Sequence, residues 1–181
     1  MNRNPEIKNE TYNAIKQLAN TLEKISGERI REEMLKLLVS DNPMFFRMFY
    51  DTKLTSVFMP EFDRAMETPQ NHPHHMYSVG EHILHTLDNI APTKEYRIAM
   101  LLHDIAKPKM LTIDEEGITH FYNHPEEGAK MSDAILRRLK YDNATIDMVH
   151  GYVLNHDRRI EGTQKALRRA MNKAGVKLFP G

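Results

Sequence analysis

Apolar residues recur at every third or fourth position along most of the chain, the spacing that places them on one face of an α-helix. The first series ends at Ser26 and Gly27 and consists of Tyr12, Ile15, Leu18, Leu22 and Ile25. The same spacing predicts further helices from Pro43 onward and over 28–39, 77–90, 94–107, 125–139, 144–156 and 164–174. The run MFFRMFY, residues 44–50, is apolar on almost every side and predicts a deeply buried segment. The pattern therefore predicts an all-α fold.

Polar residues, glycine and proline mark the expected ends of these helices. Pro108 is expected to end the helix over 94–107, because proline disrupts a helix interior. The segment 67–76 contains two prolines and is typical of a linker, whereas 111–121, LTIDEEGITHF, has a turn between alternating residues and predicts a short hairpin. The expected N-caps are Asp41 or Asn42, Thr93, Asn123 or His124, Asn143 and Thr163.

Composition narrows the classes of function. The length of 181 residues suits one domain, or one domain with a small helical appendage. The absence of cysteine excludes disulfides, thiolate zinc sites and cysteine nucleophiles, and it fits a reducing compartment such as the cytoplasm. The 25 basic and 25 acidic side chains leave no net charge to indicate a partner. No apolar run predicts a membrane span, and the polar start predicts no secretory signal.

The adjacent pair His103-Asp104 is the main candidate for chemistry. The predicted helix around it is apolar, in the sequence AMLLHDIA over 99–106. Burial of an imidazole and a carboxylate there is costly unless they pair or bind a metal. Lys107 follows one helical turn later, so its ammonium is expected near the same site. These ligand types suit zinc, iron, manganese or nickel, while magnesium would depend on the carboxylate. A surface or capping pair without metal is the alternative interpretation.

The other candidate side chains are histidines and a basic tail. His82 lies on the predicted helix over 77–90 and is either a core residue or a ligand. The three histidines of the predicted linker form either a solvated loop or a ligand cluster: His72, His74 and His75. Residues 158–181 carry seven Lys or Arg against one Glu, typical of either a solvated helix face or a phosphate-contacting patch. The candidates for that patch are Arg158, Arg159, Lys165, Arg168 and Arg169.

With these residues in order, the chain resembles the HD superfamily of metal-dependent phosphohydrolases. Over nearly its whole length it is most similar to the C-terminal half of bacterial CCA-adding tRNA nucleotidyltransferases. The resemblance lies in ISGERIREEMLKLL (25–38), MPEFDRAMETPQNHPHHMYSVGEHILHTL (59–87), LLHDIAKP (101–108), DEEGITHFYNHPEEGAKMSDAILRRLKYDN (114–143) and ALRRAMNKAG (166–175). Each motif is modestly specific, but five in the same order are strongly so.

The resemblance implies a helical neck at residues 1–68, an HD domain at 69–181, and one or two divalent metal ions. His82, His103 and Asp104 match the minimal metal motif, and His124 and His156 match the further histidines of two-metal relatives. Asp104 and Lys107 are the implied catalytic residues. The implied substrate is a nucleotide or another phosphate ester, with tRNA as a further partner.

Two departures from the family keep other functions open. No Asp-x-Asp occurs, so the chain alone is not expected to transfer nucleotides, which requires carboxylates that hold metal ions. The Asp that closes the HD motif also has no match, since neither Asp157 nor Glu161 occupies that position. We therefore expect a C-terminally truncated HD domain with an incomplete or single-metal site. The alternatives are a tRNA-binding protein with a vestigial HD site and a helical interaction protein with no ligand.

Overall fold

The computed structural model describes residues 9–70 and 77–157. In these two ranges the chain forms ten α-helices, two short 3-10 segments and one hairpin, so the predicted all-α class with a single hairpin is confirmed. The predicted helix over 164–174, its cap Thr163 and the basic tail lie outside the described residues, as do His72, His74 and His75.

The first described range folds into five helices. They are α1 (Asn9–Leu18), which continues as a 3-10 segment at Ala19–Lys24, α2 (Gly27–Leu38), α3 (Arg47–Asp51), α4 (Thr55–Phe58) and α5 (Pro60–Glu67). Another 3-10 segment, Pro43–Phe46, precedes α3. The prediction of deep burial for 44–50 was wrong for most of the run. Phe46 alone is buried there, because the run is divided between the 3-10 segment and a five-residue helix that presents only one face to the core.

The second described range folds into five helices and the hairpin. The helices are α6 (Val79–Leu87), α7 (Lys94–Leu102), α8 (Lys107–Met110), α9 (His124–Arg138) and α10 (Asn143–Asn155). Ser78 caps α6 through its side chain. Asp142, rather than the predicted Asn143, caps α10 and accepts a hydrogen bond from the backbone N–H of Thr145. Thr93 and Asn123 occupy the N-cap positions of α7 and α9 without a side-chain cap hydrogen bond.

The predicted continuous helix over 94–107 is interrupted. Helix α7 ends at Leu102, residues 103–106 form turns, and α8 begins at Lys107. Pro108 therefore does not end a helix but lies in the first turn of α8, where a missing backbone N–H is tolerated. The pair His103-Asp104 consequently lies in the bend between two helices rather than within one.

The hairpin pairs β1 (Thr112–Ile113) with β2 (Thr119–His120) in antiparallel register. Asp114 organises the turn, because its side chain accepts hydrogen bonds from the backbone N–H groups of Glu116 and Ile118. Gly117 has a φ of 80°, a left-handed conformation that glycine adopts without a steric penalty. The hairpin connects α8 to α9 and so leads the chain to the start of α9.

One hydrophobic core joins the two described ranges. It includes Phe46 and Phe62, whose rings meet edge to face with centroids 5.1 Å apart, and it continues to Ile105 and Val153. Gly128 permits close packing around the bend after α7, since an added Cβ would lie 3.2 Å from Val153 Cγ1 and 3.6 Å from the His103 carbonyl. Within the described ranges, none of the helices combines the length and the apolarity that crossing a membrane requires.

Candidate metal centre

Four helices bring the five predicted ligands to one place. His82 lies on α6, and His103 and Asp104 lie in the bend that follows α7. Helix α9 begins with His124, and His156 is the C-cap of α10. These residues are distant in sequence, but the packing of α6, α7, α9 and α10 places their side chains around a common centre. All five predicted ligands therefore converge.

Asp104 is the centre of this cluster and is only 2% exposed. Its Oδ1 lies 3.3 Å from His124 Nε2 and 3.5 Å from His156 Nε2, and these three residues are named the Oδ1 set. Its Oδ2 lies 3.2 Å from His103 Nε2 and 3.5 Å from His82 Nε2, and these residues are named the Oδ2 set. Each set brings one carboxylate oxygen and two imidazole nitrogens within 4.8 Å of one another.

Three of the histidines are held in one tautomer by backbone carbonyls. The Nδ1 of His103 lies 2.7 Å from a carbonyl oxygen, and the corresponding distances for His124 and His156 are 2.8 and 2.6 Å. Because a carbonyl can only accept a hydrogen bond, each Nδ1 must donate its proton. In the neutral ring this leaves a lone pair on Nε2, the atom that faces Asp104.

In this arrangement, the hydrogen-bond acceptors of neighbouring side chains face one another. The Nε2 atoms of His124 and His156 are 3.2 Å apart, and both also face the carboxylate of Asp104. Lone pairs so close together repel unless a cation lies among them, either a proton on one ring or a metal ion. Two ligand atoms bound to one ion at about 2.1 Å lie about 3.0–3.5 Å apart, so the observed separations fit a divalent metal.

Lys107 supplies a positive charge to the other side of the carboxylate. Its Nζ lies 2.7 Å from Asp104 Oδ2, and its side chain is 15% exposed. The ammonium also lies 5.4 Å from the centre of the Phe121 ring, a distance at which the face of an aromatic ring attracts a cation. The predicted proximity of Lys107 to the His-Asp pair is thus observed, although it is achieved across a bend rather than along one helix.

The surroundings of the carboxylate shift two pKa values. Burial raises the pKa of Asp104, but hydrogen bonds with His103, His124 and His156 outweigh burial and hold that pKa well below 3.8. Burial lowers the pKa of His156, yet its hydrogen bonds with Asp104 and with the Val153 carbonyl raise it above 6.5 overall. Without metal, the carboxylate therefore stays ionised and attracts a proton to His156.

The remaining described histidines lie elsewhere and have local partners. His85 contacts the ring of Tyr77, with centroids 4.6 Å apart. His120 Nε2 lies 2.7 Å from Asp114 Oδ2 on the hairpin. His150 Nδ1 lies 3.1 Å from Asp133 Oδ1, between α10 and α9. The five candidates for a phosphate-contacting patch lie outside the described residues: Arg158, Arg159, Lys165, Arg168 and Arg169.

Sequence reasoning missed the carbonyls that orient the ligands. They belong to Met100, Phe121 and Val153, and each lies three residues before the histidine that it holds. For His103 and His156 the available signal was the position at the C-terminal end of a helix, where the last carbonyls have no intrahelical partner and can accept a side-chain hydrogen bond. His124 begins α9, so this signal does not apply to it. Hydrogen bonds from metal-ligating histidines to carbonyls usually fix ring orientation in this way.

The two parts of the chain match two protein families. Residues 6–66 match the family described as a probable RNA and SrmB-binding site of polymerase A. Residues 71–178 match the HD domain family. The second match covers more than half of the chain and contains all five residues of the two ligand sets together with Lys107.

Curated relatives match across both parts. A CC-adding tRNA nucleotidyltransferase from Thermus thermophilus is 33% identical over 150 residues, which are 78% of this chain and 34% of the relative. A multifunctional CCA protein from Pseudomonas fluorescens Pf0-1 is 34% identical over 138 residues, 72% of this chain and 33% of the relative. The chain thus spans about a third of the length of these relatives. It belongs to the HD domain family, preceded by a polymerase A type RNA-binding region, and is homologous to that part of the CCA-adding tRNA nucleotidyltransferases.

Proposed function

We propose that this protein is a divalent-metal-dependent phosphohydrolase that acts on a nucleotide or another phosphate ester. The observation that carries the proposal is the orientation of His103, His124 and His156, whose Nδ1 atoms donate to carbonyls while their Nε2 atoms surround one buried carboxylate. Membership in the HD domain family supports the same class of reaction. Manganese, iron, nickel, zinc and magnesium all remain candidates for the ion.

The residues of the centre have distinct roles in this proposal. A divalent ion held by the Oδ1 set or the Oδ2 set supplies a Lewis acid for a phosphoryl oxygen and lowers the pKa of water. Asp104 serves both sets as an ionised ligand, because its pKa is held low. Lys107 neutralises charge on the bound phosphate. The side chains of His82 and His156 are 32% and 19% exposed, so the substrate approaches from their side.

Hydrolysis of a generic phosphodiester, bis(4-nitrophenyl) phosphate, with added Mn²⁺ or Ni²⁺ tests the proposal. We expect turnover by the wild type, loss of turnover in Asp104→Ala and in chelator, and retained turnover in Asp114→Ala. Asp114 is a matched control, because it also pairs with a histidine but lies on the hairpin. Wild-type turnover equal to that of Asp104→Ala, on this substrate and on phosphomonoesters, would refute the proposal.

A second function, RNA binding, has its own support. We propose that a neck of residues 1–68 binds a tRNA-like backbone and precedes an HD domain of residues 69–181. The family matched by residues 6–66 and the tRNA enzymes among the relatives favour this. Arg31, Lys94 and Lys140 also line a cavity of about 440 Å³ between α2, α7 and the end of α9, where cationic side chains could contact phosphate.

Salt-dependent binding of labelled tRNA tests this second function. Each phosphate contact releases counterions, so affinity should fall steeply between about 50 and 200 mM salt. We expect Arg31→Gln to weaken binding and to make the salt dependence shallower. Lys36→Gln should match the wild type, because Lys36 lies on the same helix with an exposed side chain and pairs with Glu33. Affinity that does not change with salt would contradict RNA binding through phosphate contacts.

A further inference from the structure

We propose that the cavity between α2, α7 and the end of α9 binds the phosphate group of a nucleotide, with the hydroxyl of Tyr141 as a specific hydrogen-bond donor to it. The nucleotide is either free or part of an RNA chain, because both carry the same phosphate chemistry. The site deepens the RNA binding proposed above, on which it rests for the RNA source, by assigning one phosphate to one place. It also combines a neutral donor with the positive charge of that surface.

Tyr141 carries a buried hydroxyl beside this cavity. The residue is 8% exposed, and among the described residues its hydroxyl has no hydrogen-bond partner. Buried polar groups are nearly always hydrogen-bonded, because the loss of water without a replacement partner costs free energy. Burial also raises the pKa of Tyr141, so the hydroxyl keeps its proton at neutral pH and can donate it. Since Tyr141 lines the cavity, a ligand held there can supply the missing acceptor.

Arg31 is anchored next to the same ring by two contacts. Its guanidinium donates to the Lys140 carbonyl and lies 5.5 Å from the centre of the Tyr141 ring. A guanidinium has several N–H groups in one rigid plane, so anchoring one of them fixes the direction of the others. The side of the cavity formed by Lys140 is exposed, and a small shift there can admit a phosphate oxygen to the shielded hydroxyl.

The charge of the lining attracts an anion. Three basic side chains line the cavity against one carboxylate, that of Asp142, which leaves an excess of two positive charges. Asp142 is already engaged, because it accepts hydrogen bonds from the backbone N–H and the hydroxyl of Thr145, both at 2.8 Å. Lys94 donates to the same hydroxyl at 2.8 Å. Glu28 and Glu95 lie near these bases without lining the cavity, so they reduce the attraction for an anion but do not occupy its place.

The cavity is distinct from the metal centre. Helix α7 runs from Lys94 at the cavity to His103 at the centre, and α10 runs from its N-cap Asp142 at the cavity to its C-cap His156 at the centre. These helices separate the two places by about 13 Å and about 20 Å along their axes. The α2 side of the cavity belongs to the RNA-binding family match and the other sides to the HD match, and ligand sites often lie at such junctions.

Calorimetric titration of the full chain with adenosine 5′-monophosphate tests the site. Chelator is present so that the metal centre holds no ion that would bind the phosphate, and the salt is kept at about 50 mM to preserve phosphate contacts. We expect one saturable binding event, and much weaker binding of adenosine, which lacks the phosphate. Tyr141→Phe should weaken binding of the monophosphate at least about tenfold, the factor that corresponds to a hydrogen bond to a charged group.

The melting temperature separates a ligand role of the hydroxyl from a structural one. Within the described ranges the Tyr141 hydroxyl has no partner to lose, so Tyr141→Phe should melt at the wild-type temperature or above. Tyr122→Phe is the matched control, since it removes the same group from an exposed tyrosine just after the hairpin, and it should bind the monophosphate like the wild type. Arg31→Gln should weaken this binding, whereas Lys36→Gln, on the same helix but outside the lining, should not.

Labelled tRNA identifies the source of the phosphate. Weaker tRNA binding by Tyr141→Phe assigns the site to RNA, while unchanged tRNA binding with weaker binding of the monophosphate assigns it to a free nucleotide. A wild type that binds the monophosphate but no tRNA removes the proposed RNA binding alone, and a wild type that binds neither removes both proposals.

Two results would overturn the inference and leave the proposed RNA binding intact. The first is equal binding of both probes by Tyr141→Phe and the wild type. The second is a melting temperature several degrees lower in Tyr141→Phe, because the hydroxyl would then stabilise the fold rather than serve a ligand.

Discussion

Replacement of Asp104 by asparagine is the sharpest perturbation of the centre. The side chain keeps its shape but loses the charge that both ligand sets share. Asp104 is 2% exposed, so water cannot substitute for the lost carboxylate. The ammonium of Lys107, 2.7 Å away, loses its counter-ion but keeps one acceptor in the new amide oxygen. We expect Asp104→Asn to reduce stability without metal and to abolish stabilisation by metal.

The loss of stability and the loss of stabilisation by metal can both be expressed as changes in unfolding free energy and melting temperature. Breaking a buried ion pair costs about 3–5 kcal/mol, and the retained acceptor reduces this to about 2–4 kcal/mol. At about 2–4 °C per kcal/mol for a chain of this size, the melting temperature in chelator should fall by about 4–16 °C. In the wild type, a metal at a hundredfold excess over its Kd adds about 2.7 kcal/mol, or about 5–11 °C. The variant should show no such rise.

Differential scanning calorimetry with excess Mn²⁺ and with chelator measures both quantities on the same samples. Asp114→Asn is the matched control, because it makes the same chemical change at an aspartate that pairs with His120 on the hairpin. That variant should retain the full stabilisation by metal. A rise in Asp104→Asn equal to the wild-type rise would refute the assignment of Asp104 as the shared ligand.

Three further changes test other parts of the structure. In chelator, the raised pKa of His156 means that its contribution to stability is fully present below pH 6.5 and is lost as the pH rises through that raised value. Melts from pH 5.5 to 9 should show this loss in the wild type but not in His156→Gln. In urea melts, Gly80→Ala should destabilise the protein by about 1–3 kcal/mol or more, since its Cβ would lie 2.7 Å from Met66 Cα. Gly151→Ala is the control and should be neutral or stabilising, because the space around Gly151 in α10 is open. Phe46→Ala should cost about 3–5 kcal/mol in the same assay, because the ring is fully buried.

Much of the candidate centre could be predicted from the sequence, because its residues stand out chemically. His103 and Asp104 are polar within an apolar run, and the order of motifs identified His82, His124 and His156. Their convergence could not be predicted from spacing, since it depends on how α6, α7, α9 and α10 pack. The bend after Leu102 was also missed, because helical spacing of apolar residues continues through it and only the chain path reveals the break.

Prediction was weaker where one residue can serve two local structures. Pro108 was expected to end a helix, but proline is equally suited to the first turn of a new one, and the structure uses it in that way. Asp142 and Asn143 are both good N-caps, and only the backbone conformation of Asp142 decided between them. The apolar run at 44–50 shows that hydrophobicity alone does not determine burial, since the residues of its short helix are at most partly buried.

The shared hydrophobic core fixes the distance between the helices of the first described range and the metal-binding residues of the second. Because the helices of the first range and those that carry Asp104 are packed into one hydrophobic cluster, a surface on α2 and the carboxylate in the bend after α7 are held at a set span. Two further contacts connect the first range to the end of α9. Gly27 lies close to the Arg138 carbonyl, and the Arg138 side chain forms an ion pair with Glu61. An RNA bound at α2, as proposed above, would therefore be held at a fixed distance from the carboxylate of Asp104.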